Sequence, residues 1–247
     1  MYHVVIPARY SSTRLPAKAL ADISGKPMVY WVWRQALQSK ALSVTVATDD
    51  ERIESALKPQ GVDVLMTRVD HPSGTDRLAE VAEARNWSEA SVVVNLQGDE
   101  PLMPVANIDQ VAELLLANAG ASISTLCEPI IDYATFVDPS VVKVVSDRLG
   151  RAQYFSRSPI PHERDGAQSS APAEARRHIG LYAYRAGFLR EFTSGSVAPY
   201  EKLESLEQLR ALHLGHEIRV ADAQENVPSG VDTQADLEAV RAIMAAQ

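Results

Sequence analysis

Cysteine is almost missing from this 247-residue chain, Cys127 being the single one. No internal disulfide can form, and a lone thiol inside an apolar stretch reads as a buried structural group in a reducing compartment. Long apolar runs are lacking too, because no stretch approaches the ~20 residues that cross a bilayer. No membrane partner is therefore expected. An apolar run begins at Val4, which leaves no room for a secretory leader, and a cytoplasmic location is the expectation. Excess positive charge is absent as well. With 24 Lys and Arg against 32 Asp and Glu the net charge is −8, whereas a nucleic-acid backbone demands a broad basic face. A nucleic-acid partner is excluded on that ground.

Two further absences concern the stretch Val4 to Leu20, VVIPARYSSTRLPAKAL. Its loop carries no G-x-G-x-x-G, so a dinucleotide site has little support, and no G-x-x-x-x-G-K-[ST], so a P-loop is excluded there. The first twenty residues also hold no acid. What remains is a buried strand followed by a polar loop bearing Arg9, Arg14 and Lys18, a cationic island on an acidic protein. Two guanidinium forks and one compact ammonium suit an anion with several oxygens, such as a triphosphate. Three solvated bases in a surface loop are the plain alternative.

The rest of the chain alternates strand and helix. Ser43–Ala47, Val62–Met66, Ser91–Leu96, Ser122–Cys127, Val141–Val145 and Ile218–Ala221 read as strands, and Ile23–Pro27 and Leu149–Gly150 as turns. Apolar spacing predicts helices over Met28–Leu37, Arg77–Ala84, Asn107–Ala117, Tyr200–Leu214 and Gln234–Met244, and Thr48–Glu51 leads into a further helix holding Ile53 and Leu57. The Tyr200–Leu214 helix is expected to supply Leu203, Leu206, Leu209, Leu212 and Leu214 to an apolar face. This rhythm predicts one α/β domain over residues 1–247, a doubly wound, mostly parallel, Rossmann-like sheet. Residues 151–200 read as a smaller insertion, with 162–176 a mobile loop. From His178 a strand is expected, with His178, Gly180, Tyr182 and Tyr184 on one face. The preceding pair, Arg176 and Arg177, reads as a solvated loop end.

Several polar groups have an ordinary account. Asp49 to Glu51 suit the first turn of a helix, Ser73 or Thr75 can cap the helix that follows, and Thr233 with Asp236 has capping-box spacing. Gln97-Gly98-Asp99-Glu100-Pro101 can be a simple turn. It also stands just past the most strand-like run of the chain, where α/β sheets bind ligands, and a carboxylate there is a hard ligand of the kind Mg²⁺ takes.

The string PARYSSTRLPAK, together with HPSGTD, QGDEP, YFSR, RHIGLYAYR, LESLEQLR and GVDT in this order, resembles the sugar nucleotidyltransferases. The likeness is greatest to the 3-deoxy-manno-octulosonate (KDO) cytidylyltransferase family. Many relatives have glycine where this chain has Ala17 and proline where it has Ala19. The resemblance implies transfer of CMP from CTP to KDO, within lipopolysaccharide assembly, by a homodimer, and the 151–200 insertion is a candidate surface for its contact. It implies catalytic roles for Arg9, Arg14, Lys18 and Asp99, and nucleotide binding by Arg9, Arg14, Lys18, Ser73, Gly74 and Gln97. Sugar binding falls to Arg157, His178, Tyr182, Glu207 and Gln208, and Mg²⁺ to Asp99 and Asp232. No histidine lies in the first loop to act as a base, so metal-assisted activation of the sugar hydroxyl is the expected chemistry.

Alternatives stay open at this level. The sugar could be sialic acid or 8-amino-KDO, the nucleotide UTP or GTP, or the chain a non-catalytic nucleotide-binding regulator. Against the last stands the joint presence of Lys18, Asp99 and Asp232.

Overall fold

The computed structural model describes residues 1–12, 14–164 and 170–245. Among these, nine strands form one sheet. Strand β1 (Tyr2–Ala8) lies inside it, and β2 (Asp22–Ile23) and β3 (Lys26–Pro27) make a separate small hairpin. The hairpin turns at Ser24 and Gly25, with φ of 51° and 79°, the left-handed pair that matches strand twist. Strands β4 (Ser43–Thr48), β5 (Val64–Met66), β6 (Val92–Asn95) and β7 (Ile123–Pro129) follow, then β8 (Lys143–Ser146), β9 (Ala152–Ser156), β10 (Arg176–Arg185) and β11 (Ile218–Asp222). The order across the sheet is β11-β7-β10-β6-β1-β4-β5, with β8 on β10 and β9 on β8.

Helices α1 (Met28–Ala36), α2 (Glu51–Leu57), α3 (Gly74–Ala84), α4 (Val105–Ala117) and α5 (Tyr133–Val137) occupy the crossovers. Helices α6 (Ala186–Ser194), α7 (Pro199–Glu204), α8 (Gln208–His213) and α9 (Gln234–Ala245) complete the chain. Strands β1, β4, β5 and β6 are mutually parallel, as is the β7–β11 pair. Their Val- and Ile-rich interiors are buried on both faces, which is what a sheet covered by helices on each side requires. One face packs on α1, α2 and α4 around Val4, Ile6 and Val94, the other on α3 and α6 around Val5, Val93 and Phe188. The mostly parallel α/β architecture read from the sequence is the one observed.

Four details differ from the sequence reading. Strand β10 runs antiparallel between β6 and β7, so residues 176–185 of the stretch set apart as an insertion lie at the centre of the main sheet. Arg176 and Arg177 belong to that strand and pair with Asp222 at 3.0 Å and Glu128 at 2.5 Å, rather than forming a solvated loop end. The Tyr200–Leu214 helix is broken into α7 and α8 at Ser205, whose φ is 51°. Leu203 is turned out to solvent as a result, 86% exposed. The break has a tertiary cause: the Arg157 guanidinium donates to the Glu204 carbonyl at 2.7 Å, and the Glu204 carboxylate accepts from Ser156 Oγ at 2.6 Å and Arg157 N at 2.9 Å. Finally, of the acids Asp49 to Glu51, Asp50 caps α2 while Asp49 faces the fully buried Arg77 at 3.0 Å.

The reading of Cys127 as a buried free thiol holds, and burial pushes its pKa up to about 12. Residues 165–169 of the segment expected to be a mobile loop lie outside the described residues.

Candidate active site

The site is built where parallel strands end. Strand β1 delivers Arg9 to the loop and β6 delivers Gln97, Gly98 and Asp99, at the carboxyl edge where open α/β sheets present their crevice. The two segments meet at van der Waals limit. A Cβ on Gly98 would stand 2.8 Å from the Pro7 carbonyl oxygen, so only glycine allows this approach. The Val231 amide donates to the Asp99 carbonyl at 2.9 Å, which ties the C-terminal GVDT loop to the same edge.

Lys18 is the centre of the resulting cluster. Its Nζ lies 2.5 Å from Asp99 Oδ2 and 3.0 Å from Asp232 Oδ1, and Arg14 reaches the same Asp232 oxygen at 3.0 Å. Burial works against the lysine's charge, but Asp99 and Asp232 outweigh it and hold its pKa above the ordinary lysine range. Lys18 opens a single 3-10 turn over Lys18–Leu20, and Ala17 before it sits in the left-handed region at φ 54°. Asp232 is held from behind, since its amide and that of Thr233 donate to Asp236 at 3.0 and 2.8 Å. The Thr233–Asp236 capping pair is therefore present, and it orients the neighbouring carboxylate.

Asp99 Oδ2 and Asp232 Oδ1 converge on one ammonium, so the two carboxylates can face one cation. Among the described residues no cluster of three or more His, Cys, Asp or Glu is arranged for a metal. Two carboxylates suit Mg²⁺ nevertheless, because that ion keeps several waters and shares substrate phosphate oxygens. The donor set fits the ion that the sequence reading expects.

A cavity of about 470 Å³ surrounds this cluster. Arg9, Arg14, Lys18, Ser73, Gly74, Gln97, Asp99 and Asp232 all border it, so the structure brings together every nucleotide and metal residue chosen from the sequence. Ser73 also caps α3: its hydroxyl donates to Asp76 Oδ2 at 2.6 Å, and it accepts from the Asp76 amide at 3.3 Å. Capping and lining are compatible, because Ser73 and Gly74 border the cavity while the Ser73 hydroxyl stays paired with Asp76.

A second cavity of about 290 Å³ adjoins the first and shares Gly74, Gln97 and Glu207 with it. Tyr182, Glu207 and Gln208 border it, three of the five sugar residues named from the sequence. Arg157 and His178 are not among the described residues bordering either cavity. Arg157 donates to the carbonyls of Glu204, Pro139 and Ser205. His178 stands behind Tyr182, its ring centre 5.1 Å away, with Nε2 3.1 Å from Thr125 Oγ1. The Thr125 hydroxyl is directed at the carbonyls of Ile179 and Leu181, so the imidazole N–H donates to the threonine oxygen. Burial, helped by the Arg177 charge, lowers the His178 pKa to about 3 and keeps the ring neutral.

Sequence reasoning missed Thr75, Asn95 and Tyr184 in the second cavity. It also missed Glu100, whose pKa rises to about 8 through burial and the adjacent Asp99 charge, against Arg177 and Lys18. Tyr184 could have been found from its two-residue spacing to Tyr182, and Asn95 as the one polar residue ending a valine run. Nothing local marks Glu100.

A mostly parallel sheet with a cationic loop after its first strand, and paired carboxylates facing one lysine across two joined cavities, defines a nucleotidyltransferase. Residues 3–218 match the family model described as cytidylyltransferase. A 3-deoxy-manno-octulosonate cytidylyltransferase of Chromohalobacter salexigens is 55% identical, over 98% of this chain and 96% of the relative. One from Acinetobacter baumannii is 51% identical, over 96% of each chain. Among solved structures, CMP:2-keto-3-deoxy-manno-octonic acid synthetase complexed with CTP superposes with a TM-score of 0.91 at 43% identity, over 99% of this chain and 98% of that one. A Leptospira borgpetersenii cytidylyltransferase, TM-score 0.66 at 18% identity, shares the fold over 100% of this chain and 87% of its own. The chain belongs to the 3-deoxy-manno-octulosonate cytidylyltransferase family.

Proposed function

We propose that the protein transfers the cytidylyl group of CTP to KDO, releasing pyrophosphate and forming CMP-KDO. The observation that carries this reading is the junction of the two cavities at Gly74, Gln97 and Glu207, with the Lys18–Asp99–Asp232 cluster bordering the larger one. A triphosphate in the larger cavity and a sugar acid in the smaller would meet at that junction. The anomeric oxygen of KDO forms a bond to the α-phosphorus while the bond from that phosphorus to the pyrophosphate oxygen breaks. The hydroxyl proton leaves to solvent or to the departing phosphate.

The residues present act mainly by positioning and by charge. Arg9, Arg14 and Lys18 hold the phosphates and offset the charge that gathers on the leaving group. Ser73, Gly74 and Gln97 hold the nucleoside end. Asp99 and Asp232 would hold Mg²⁺, which when bound neutralises phosphate oxygens and lowers the pKa of the sugar hydroxyl. Binding it requires the Lys18 ammonium to leave its seat between the carboxylates and turn to the triphosphate. Tyr182, Glu207 and Gln208 take the sugar hydroxyls. Arg157, now on peptide carbonyls at 3.1 and 3.5 Å through its two Nη atoms, would turn to the sugar carboxylate, a better match for a guanidinium. His178 supports Tyr182 from behind.

The same reading carries a homodimer working in the cytoplasm within lipopolysaccharide assembly. Leu149 and Tyr154 of the β8–β9 hairpin, 54% and 37% exposed, are apolar groups a second copy would cover. The test of function is pyrophosphate release with CTP, Mg²⁺ and KDO beside reactions holding sialic acid, 8-amino-KDO or UTP. Release confined to CTP with KDO is the expected result. Release with another pair replaces the substrate, and none with any pair ends the catalytic reading.

A further inference from the structure

The wall of the smaller cavity contains a polar atom with no partner, Asn95 Oδ1, while the amide nitrogen of the same side chain faces the Tyr184 hydroxyl. Asn95 ends β6, directly opposite Tyr182 in the antiparallel register with β10, and its side chain lies on the face that carries Val5, Val93, Tyr182 and Tyr184. It is 4% exposed. Five buried side-chain nitrogen or oxygen atoms lack a hydrogen-bond partner among the described residues, and Asn95 Oδ1 is the one whose residue borders this cavity. The neighbouring Thr75 hydroxyl is already used, donating to Glu207 Oε2 at 3.0 Å.

An asparagine is a poor choice for the buried end of a valine strand. Leaving its carbonyl oxygen unpaired costs more than a valine there would, and buried polar atoms without partners are rare in native proteins. The cost is offset when a ligand supplies the donor. The proposed acceptor is a polyol acid whose hydroxyls can each donate one hydrogen bond. Resting on that reading, we infer that Asn95 is a specificity-determining residue: its Oδ1 accepts a hydrogen bond from one hydroxyl of the bound sugar. The cytidine and the triphosphate take no part in this contact. A site that holds a buried acceptor rejects an analogue lacking the matching hydroxyl more strongly than an apolar wall would.

The test uses KDO and its monodeoxy analogues, lacking in turn the hydroxyl at C4, C5, C7 or C8, with saturating CTP. On the wild-type enzyme the analogue lacking the hydroxyl that Asn95 holds should lose roughly ten- to hundredfold in kcat/KM, whatever the others lose through Tyr182, Glu207 and Gln208. Asn95→Ala should lose a similar factor with KDO, through KM for the sugar, and should lose little more with that one analogue. Its affinity for CTP, read by calorimetry, should stay within about twofold of wild type, which also establishes that the variant is folded. Additive losses across all analogues, or an equal fall in CTP affinity, would overturn the inference. So would a wild-type enzyme indifferent to every deletion, a result that needs no variant. If wild type turns over no KDO at all, the function and this inference fall together; turnover insensitive to Asn95 removes the inference alone.

Discussion

The Lys18 ammonium lies 2.5 Å from Asp99 Oδ2, closing a contact between the first loop of the chain and the end of β6. The same ammonium reaches Asp232, so one cation bridges two acids that would otherwise repel each other, and Arg14 adds a second positive charge at Asp232. Replacing Asp99 by Asn removes a charge from this set while keeping its shape. Turnover should fall at least about a hundredfold, the scale at which loss of one charge-stabilising group is felt. Pyrophosphate release measured across a Mg²⁺ titration checks it. Activity within a few-fold of wild type would end the assignment of Asp99 to the metal.

Ala17 carries a Cβ in the left-handed region, at φ 54°. A glycine there lacks the steric cost, roughly 1 kcal/mol for an L-residue. Ala17→Gly should therefore raise stability, seen as a gain of about 2–4 °C in Tm for a chain of this size. An unchanged or lowered Tm in calorimetry would show that the strain is absorbed elsewhere in the loop.

Arg77 is fully buried and meets Asp49 at 3.0 Å, with Thr67 Oγ1 accepting from its other terminal nitrogen. Asp49→Ala leaves that guanidinium without its counter-charge. Removing one member of a buried pair costs about 3 kcal/mol or more. The midpoint of urea unfolding should drop accordingly, and the first turn of α3, which borders both cavities, should exchange its amides faster.

His178 is held neutral, with a folded-state pKa of about 3 against an ordinary value near 6.5. Below 6.5 the unfolded chain binds a proton that the folded one does not. Stability present above pH 6.5 is thus lost as pH falls toward 3, at up to about 1.4 kcal/mol per pH unit. His178→Gln keeps a donor for Thr125 and removes the titration. Its unfolding free energy should decline less steeply than that of wild type between pH 6.5 and 4, with the two curves parallel above pH 7.5. Parallel curves throughout would mean that the imidazole is free to charge in the fold.

Much of this protein is legible residue by residue. Valine and isoleucine runs such as Val92–Val94 form strands because β-branched side chains suit a surface buried on both sides. The spacing within α1 and α4 marks helices for a similarly local reason. The chemistry of the larger cavity is legible too, because Arg9 and Asp99 stand just past strand ends, and a parallel sheet places all such ends at one edge. The sequence alone determined the residue types, their order and the edge at which they gather.

Packing decided the rest. The antiparallel entry of β10 between β6 and β7 depends on pairing between segments far apart in the chain, and no local pattern encodes it. The turn at Ser205 that carries Glu207 to both cavities is imposed by Arg157 and Glu204 against the helical spacing of the leucines. Asp49 becomes the partner of Arg77, and Glu100 acquires a raised pKa, through burial and neighbours that only the assembled core supplies. Charge type belongs to a residue, whereas desolvation and the distance between remote groups belong to the fold. That is why the acids and bases of the site could be read from the chain, while their pairing and the acceptor at Asn95 appear only in three dimensions.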